Sequence, residues 1–170
     1  MRIDCGTFIL RPFEPEDAGS VAALANDRDI WLMVRDRFPH PYTIEHAKEF
    51  IAGAMAKHPP QNLAIELDGR AVGSISIFLQ GDIERVSAEI GYWLGKPYWG
   101  RGIMTPAVTA VTRYAIDTFQ LTRVFATLAA TNVGSMRVLE KAGFVREGFM
   151  KQSVIKDGVV QDQYMYGFYA

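Results

Sequence analysis

The sequence predicts a mixed α/β domain, because runs with the 3.6-residue hydrophobic period of helices alternate with runs that have the two-residue period of strands. A second sign is the pair of dipeptides Asp68-Gly69 and Asp157-Gly158, each of which lies between two β-rich runs, as in tight hairpins. A third is length, since 170 residues suffice for one compact domain, which we place at residues 1–170. The expected order is strand, two helices, three strands, helix, strand, helix and two strands.

Several runs carry the β-branched and aromatic residues and the turn-forming borders expected of strands. Side chains alternate along a strand, so Glu89, Gly91 and Trp93 share one face of the fourth run. The predicted strands are Thr7–Arg11, Asn62–Leu67, Ala71–Leu79, Val86–Leu94, Thr122–Ala129, Phe144–Val154 and Val159–Phe168.

The predicted helices follow from their start and stop signals. Thr43 is a good N-cap, Pro106 falls in a first turn where no N–H is needed, and Gly143 suits the position after a helix end. The segment Asn26–Tyr42 mixes aromatic and charged residues with prolines, which indicates short helix and loop. The predicted helices are Glu14–Ala25, the stretch from Thr43 to just before Pro59, Gly102–Phe119 and Asn132–Ala142.

Composition excludes several classes of function. A formal net charge of −1 gives no long-range attraction to nucleic acid or to an anionic membrane. Cys5 is the one cysteine, so no internal disulfide forms, and neither it nor the three histidines have the spacing of a metal site. No apolar run approaches the roughly 18 residues of a membrane span, and no signal peptide is recognisable. We expect a cytoplasmic protein that binds no metal, nucleic acid or membrane.

The most informative stretch is a loop between a strand and a long helix. Gly100 and Gly102 follow the strand and come directly before the helix, and Lys96 and Arg101 add positive charge. Unpaired amides and the helix dipole favour anions at a helix start, and glycine lets the backbone approach a phosphate closely. The P-loop and dinucleotide-binding patterns are absent. On these residues alone, glycines that merely satisfy a tight turn fit the pattern at least as well.

Four stretches, taken together, point to a family. They are Leu10–Asp17, Asp36–Thr43, Ala88–Leu94 with Tyr98–Thr105, and Asn132–Ser135 leading to Glu140–Phe144. In this order and spacing they resemble the GNAT acetyltransferases, in particular the branch that includes the ribosomal-protein (Rim-type) N-terminal acetyltransferases, and the resemblance runs nearly end to end. It implies a central mixed, mostly antiparallel sheet of six to seven strands, splayed at a parallel strand pair, with about four helices. It also implies acetyl-CoA as the cosubstrate.

The resemblance further implies which residues hold acetyl-CoA. The loop pattern of the superfamily, Q/R-x-x-G-x-G/A, keeps its glycines here but has Pro97 in place of the Gln or Arg. Main-chain amides from Trp99 to Thr105 would cradle the pyrophosphate, and the strand edge at Tyr92–Leu94 would pair with the pantetheine arm. The implied acetyl-CoA residues are Tyr92, Trp93, Leu94, Trp99, Gly100, Arg101, Gly102, Ile103, Met104, Thr105, Asn132, Ser135, Arg137 and Lys141.

The chemistry requires that the amine lose a proton and that a thiolate leave. Glu89, on the strand beside the implied acyl site, is the candidate base, with a carboxylate simply ion-paired to Arg85 or another basic residue as the alternative. The tyrosine acid of many GNAT enzymes falls on Leu139, which cannot donate a proton. Ser135 is the substitute that the branch implies, and a helix-start hydroxyl is its other interpretation. Asn132 is both a good N-cap and an implied pantetheine contact.

The acceptor amine is open among three hypotheses. A peptide α-amine has a pKa of about 7.7–8.0 and a lysine amine of about 10.4, so a modest base favours a protein or peptide N-terminus, such as that of a ribosomal protein. The others are a small amine (a polyamine, amino acid, amino sugar or drug) and an acetyl-CoA-binding module without turnover. Residues expected in the acceptor pocket, each of which could equally be core, are Trp31, Arg35, Phe38, Tyr42, Glu89 and Tyr164. Residues that could form a homodimer contact are Tyr164, Tyr166, Phe168 and Tyr169.

Overall fold

A computed structural model describes residues Met1–Ala170 and shows a mixed α/β fold. The strands are β1 (Ile3–Asp4), β2 (Ile9–Pro12), β3 (Asn62–Leu67), β4 (Arg70–Leu79), β5 (Ser87–Leu94), β6 (Arg123–Ala129), β7 (Val145–Lys156) and β8 (Val159–Tyr169). The helices are α1 (Ala18–Ala25), α2 (Arg28–Trp31), α3 (Ile44–Met55), α4 (Met104–Phe119) and α5 (Val133–Lys141). The eight strands form one sheet in the order β1-β2-β3-β4-β5-β6-β8-β7, in which β5 and β6 are parallel.

The predicted fold class is confirmed, and the differences in element number concern short elements. β1 has two residues, too few for a hydrophobic period to reveal, and α2, with four, is the short helix expected within Asn26–Tyr42. With these two elements the sheet has eight strands and the helices number five. Both predicted hairpin turns are present, since Asp68, Gly69, Asp157 and Gly158 all have φ between 50° and 75°. Positive φ at both central residues is what a type I′ turn requires.

The start of α4 differs from the prediction because of the backbone at one glycine. Gly102 has a φ of +72°, in the left-handed region, so a right-handed helix cannot include it. The helix therefore begins at Met104. The first predicted helix differs at its start as well: a 3₁₀ turn at Pro15–Asp17 precedes α1 where the prediction placed a helix from Glu14. Gly143, with a φ of +90°, has the left-handed conformation expected just after a helix end.

By its internal contacts the chain divides into two compact units. The first unit comprises Met1–Ser76 and Tyr92–Ile103, and the second comprises Ile77–Gly91 and Met104–Ala170. A single domain over residues 1–170 stays a prediction.

In the first unit, α1 and α3 pack against each other and contribute to one apolar core. Thr43 starts α3, because its hydroxyl accepts a hydrogen bond from the amide of His46 at 3.3 Å, as its predicted capping role requires. Phe13 and Phe50 meet edge to face with 5.3 Å between their ring centroids. The helix α3 is thus held both at its start and along its buried face.

A buried ion pair ties β2 to the turn before α1 in the first unit. Arg11 and Asp17 are 4% and 6% exposed, and two parallel N–H···O bonds of 2.8 Å join them. Glu66 on β3 accepts a further bond from the Arg11 guanidinium. The bond to Asp17 raises the pKa of Arg11 above its ordinary value, against burial and with support from Glu66. Arg11 therefore remains charged in the folded protein at neutral pH.

In the second unit, β6 alternates in burial along its length. It pairs in parallel with β5 over three residues only, Ser87–Glu89 with Arg123–Phe125, consistent with the predicted splay, and it pairs with β8 along its whole length. One face of β6 carries the buried residues Val124, Ala126 and Leu128, and the other carries the half-buried residues Arg123, Phe125, Thr127 and Ala129.

The aromatic residues of β8 mostly serve the second unit itself. Tyr166 is 1% exposed, and its hydroxyl group donates a hydrogen bond to Glu140 of α5 at 3.0 Å. Phe168 packs on Phe144 with 5.5 Å between ring centroids. Tyr166, expected at a dimer contact, is instead a core residue, because its strand position faces α5. A homodimer stays a prediction.

None of the helices is both long and apolar enough to cross a membrane. The cytoplasmic location stays a prediction.

We expect Arg11→Ala to lower the free energy of unfolding by about 3–5 kcal/mol, since it leaves the buried Asp17 carboxylate without its partner. The control is Arg2→Ala, which removes the pair between the exposed Arg2 and the half-buried Glu66 and should cost less than about 1 kcal/mol. Urea denaturation at pH 7 measures both, and equal losses in the two variants would contradict the importance of the buried pair.

Candidate functional site

The loop after β5 leaves a row of main-chain amides without a protein acceptor. Its 3₁₀ turn uses two amides, those of Tyr98 and Trp99, which donate to the carbonyls of Gly95 and Lys96 at 2.9 and 3.1 Å. The following amides, 100–103, donate to no acceptor of the protein. The row therefore begins at Gly100, one residue later than the Trp99 of the sequence prediction, because the turn consumes the amide of Trp99.

Two left-handed glycines shape this loop. Gly100 and Gly102 have φ of +73° and +72°, and a Cβ built on either would meet nothing within 4 Å. The glycines are thus required by backbone conformation and not by a close neighbour. The space above them remains open for a ligand to approach the main chain.

The first turn of α4, in the second unit, continues the row along the chain. The amides of Met104 and Thr105 precede the first intrahelical hydrogen bond, and Pro106 has no N–H. The positive end of the helix dipole lies here as well. A loop followed by a helix start of this kind suits a multiply charged phosphate group.

Side chains of the first unit hold the base of the loop. The indole N–H of Trp99 donates to the carbonyl of Leu94 at 2.7 Å, which closes the loop onto the end of β5. Lys96 forms an ion pair with Asp29 of α2, and this bond raises the pKa of Lys96. The sequence indicated that the positive charge of Lys96 helps to bind an anion. In the structure Asp29 balances that charge. Arg101 lies 5.2 Å over the ring of Tyr98.

The aromatic residues expected in the acceptor pocket belong to the first unit, and they differ in exposure. Phe38 contacts both Tyr42 and Trp93, with centroid distances of 4.9 and 5.8 Å. Tyr42 and Trp93 are 7% and 8% exposed and are part of the core, and burial raises the pKa of Tyr42 to about 12. Trp31, half-buried, stacks on His40 at 5.4 Å. Trp31 and Phe38 remain within reach of a ligand.

Arg35 is exposed, and Tyr92 is half-buried. Because the side chains of Trp93 and Leu94 are buried, their main chain is the part that a ligand could contact.

Glu89 lies in the second unit beside the end of the parallel ladder. Its register partner on β6 is Phe125, and its Oε1 accepts a hydrogen bond from the hydroxyl of Thr127 at 2.7 Å. Arg85, the ion-pair partner considered above, donates to the carbonyl of Asp82 at 2.9 Å. The half-buried carboxylate of Glu89 thus has the hydroxyl group of Thr127 among its partners.

The structure separates Tyr164 from Glu89. Thr127 pairs with Met165 of β8, so Met165 shares the face that carries Glu89, while Tyr164 pairs with the buried Leu128 and points to the opposite face. The placement of Tyr164 beside Glu89 in one acceptor pocket is therefore wrong, because adjacent strand residues face opposite sides. Tyr164 instead contacts Phe149, with 5.3 Å between ring centroids.

A charged cluster lies on the same face of the second unit as Glu89. Arg123 forms an ion pair with Glu147 of β7 and lies 4.6 Å over the ring of Phe125. The hydroxyl group of Tyr169 also donates to Glu147. Burial acts to raise the pKa of Glu147, but the hydrogen bonds from Tyr169 and Arg123 outweigh it and hold the pKa below its usual range.

The start of α5 places the remaining predicted residues. Asn132 is the N-cap, since its Oδ1 accepts from the amide of Ser135 at 3.2 Å, and its side-chain amide nitrogen is the group that could reach a ligand. Ser135 is half-buried, and Arg137 and Lys141 are exposed. Leu139 is 1% exposed, so the position of the usual tyrosine acid is a core position here.

Two other sequence expectations concern thiol and metal chemistry. Burial and the neighbouring Asp4 raise the pKa of Cys5, which disfavours the thiolate. No group of three or more His, Cys, Asp or Glu side chains is arranged to hold a metal ion.

Sequence reasoning missed two contacts at the site, those of the Thr127 hydroxyl and of the Trp99 indole. Thr127 stands at an outward position of an alternating strand, a signal visible in the sequence, but its proximity to Glu89 depends on the parallel register. The Trp99 contact depends on how the loop folds back on Leu94.

Comparisons with known proteins agree on a family. Residues 7–145 match the family described as "Acetyltransferase (GNAT) domain". YjcK of Bacillus subtilis, named as a probable N-acetyltransferase, is 37% identical over 153 residues, covering 83% of this chain and 82% of YjcK. YdaF of the same organism, named as a candidate ribosomal N-acetyltransferase, is 32% identical over 146 residues, covering 81% of this chain and 78% of YdaF.

Solved structures are similar over nearly the whole chain. RimJ of Mycobacterium smegmatis, in complex with CoA-disulfide, matches with a TM-score of 0.82 and 28% identity, covering 99% of this chain and 85% of RimJ. An acetyltransferase of the GNAT family from Bacillus anthracis matches with a TM-score of 0.85 and 25% identity, covering 99% of this chain and 98% of that one.

We expect Glu147→Gln to destabilise the protein at pH 7 by up to about 1 kcal/mol, since the Arg123–Glu147 pair is partly exposed. The lowered pKa of Glu147 means that the wild-type carboxylate stabilises the fold above the usual glutamate pKa of about 4.3 and loses that effect as the pH falls through its lowered value. Urea denaturation should thus show a difference between wild type and variant at pH 7 that shrinks in acid. Glu49→Gln, at an exposed residue of α3, is the control and should change little. A difference that persists or grows in acid would contradict the ion-pair origin.

Proposed function

We propose, from the premise that this chain belongs to the GNAT acetyltransferase family and is an acetyl-CoA-dependent N-acetyltransferase, that its acceptor is the α-amine at the N-terminus of a protein or peptide, such as a ribosomal protein. The observation that carries the site assignment is the row of unbonded amides from Gly100 to Thr105, which comes after the strand that bears Glu89 and the turn at residues 95–99.

The residues present fit the cosubstrate. The open, left-handed loop at Gly100 and Gly102 gives a diphosphate access to main-chain amides, and the helix start at Met104 and Thr105 adds two more. Acetyl-CoA, when bound, supplies an acyl group activated as a thioester. The main chain of Tyr92–Leu94 would pair with the pantetheine arm. The other proposed contacts are Trp99, which holds the loop on Leu94, with Arg101, Ile103, Asn132, Ser135, Arg137 and Lys141.

Glu89 would remove the proton of the attacking amine, directly or through a water molecule. Only the neutral amine has the lone pair needed to attack, and a carboxylate positioned in a half-buried site can take its proton. Ser135, in the first turn of α5, would donate a hydrogen bond to the leaving sulfur, because the residue in the usual acid position is the buried Leu139. Proximity of the two reactants supplies much of the remaining rate.

The preference for an N-terminus has a thermodynamic basis. At pH 7 roughly a tenth of peptide α-amines are neutral, against less than about a thousandth of lysine amines. A single carboxylate base therefore suffices more readily for an α-amine. The name of YdaF, which refers to a ribosomal acceptor, supports the same choice. The half-buried Trp31 and Phe38 and the exposed Arg35 are the proposed acceptor contacts of the first unit, and Glu89 is that of the second.

We expect acetyl transfer to be fastest with short peptides that have a free α-amine, and Glu89→Gln to lower kcat at least about tenfold with little change in KM for acetyl-CoA. Thiol release from acetyl-CoA measures both, with the same peptides carrying a blocked N-terminus and a free lysine as the control. A faster reaction with spermidine, amino acids or amino sugars would favour the small-amine alternative. Tight acetyl-CoA binding without release from any acceptor would support a module without turnover.

We expect Gly102→Ala to weaken acetyl-CoA binding about tenfold, since an L-residue in left-handed backbone costs about 1–2 kcal/mol. The matched control is Gly53→Ala in the last turn of α3, where the added Cβ likewise meets nothing within 4 Å but φ is not positive. Titration calorimetry with acetyl-CoA measures both variants. Unchanged affinity in Gly102→Ala would show that the loop does not need its left-handed shape to bind.

A further inference from the structure

We propose that Thr127 is a positioning residue for Glu89, which holds the carboxylate in the orientation that accepts the proton of the acceptor amine. This inference rests on the proposed function of Glu89 as the base. Both residues belong to the second unit.

Thr127 lies on the part of β6 that is no longer paired with β5. The parallel ladder of β5 and β6 ends at Glu89 and Phe125, and Thr127 is two residues further along β6 on the same face. The main chain of Thr127 pairs instead with Met165 of β8. The position of Thr127 is therefore set by pairing with β8 and not with β5. Its side chain contacts Glu89 just beyond the last residue pair of β5 and β6.

The hydrogen bond between Thr127 and Glu89 is well suited to fix the side-chain rotamer of Glu89. The hydroxyl-to-carboxylate distance is 2.7 Å, within the short range typical of a hydrogen bond to a charged acceptor. A β-branched side chain on a strand has little freedom about its first torsion angle, so the donor is itself held still. Both residues are half-buried, which reduces competition from water.

The direction of donation matters for the chemistry. The hydroxyl group of Thr127 donates its one proton to Oε1 of Glu89, and the remaining lone pairs of the carboxylate can accept the proton of the amine. In the reaction the amine nitrogen forms the bond to the acyl carbon, the carbon–sulfur bond breaks, the thiolate leaves and the amine proton passes to Glu89. Thr127 keeps its own proton throughout, which is why it positions the base and does not act as a catalytic residue.

The charged groups on the same face of the neighbouring strands balance each other. Arg123 of β6 and Glu147 of β7 form an ion pair, and Tyr169 of β8 donates to the same carboxylate. The hydroxyl group of Thr127 is therefore a neutral donor beside Glu89, and its removal changes no formal charge on this face.

The test is a double-mutant cycle with three threonine variants. Thr127→Val keeps the shape and removes the donor, Thr127→Ser keeps the donor, and Thr122→Val alters an exposed threonine whose hydroxyl group makes only a 3.4 Å contact with the carbonyl of Val86. Each is assayed with acetyl-CoA and a peptide beginning with Ser from pH 5.5 to 9, in the wild-type and Glu89→Gln backgrounds. Calorimetry with acetyl-CoA and thermal melting control for binding and folding.

We expect Thr127→Val to lower kcat/KM about tenfold, the usual effect of one lost hydrogen bond to a charged group. Thr127→Ser and Thr122→Val should stay near wild type, and Thr127→Val should cost nothing further in Glu89→Gln. Equal losses in both backgrounds, or a wild-type profile in Thr127→Val while Glu89→Gln is impaired, would overturn the positioning role alone. Wild-type kinetics in Glu89→Gln would overturn the base itself.

Discussion

The left-handed backbone at Gly100 and Gly102 is the constraint on which the rest of the site depends. It delays the start of α4 to Met104 and leaves the amides before it without an acceptor in the protein. A residue with a Cβ would pay about 1–2 kcal/mol for the same conformation, so the role belongs to glycine. The attraction of this loop for an anion is therefore a property of the main chain, and the balancing of Lys96 by Asp29 does not weaken it.

β5 contributes residues to both units. Its early residues pair with β6, and Glu89 at the end of that ladder remains half-buried, as a polar base requires. Its later residues, Trp93 and Leu94, are buried, so they offer main chain and not side chain to a ligand. Alternation of faces along the strand allows one element to serve the core and the chemistry without an isolated buried charge.

Local signals predicted the fold well where one residue controls one conformation. The hairpin dipeptides, the cap at Thr43 and the glycine at Gly143 each act within a few residues, and the structure has each of them as expected. The cap at Asn132 is of the same kind. The predictions that differed had a different origin. β1 is too short to show a period, and Tyr164 required the register of β8 against β6 to be known, since a shift of one residue changes the face.

By itself, the sequence determined the mixed α/β class and the glycine loop before α4, because these follow from periodicity and from residue types at short spacing. The choice of Glu89 as the candidate base needed the family resemblance as well, because the resemblance implied the acyl site beside that strand. Only the tertiary structure decided that Thr127 contacts Glu89, that Trp99 closes its loop on Leu94 and that Tyr164 lies on the other face. The physical reason is that these contacts join residues by strand register and loop closure, which depend on distant parts of the chain and not on neighbouring residues.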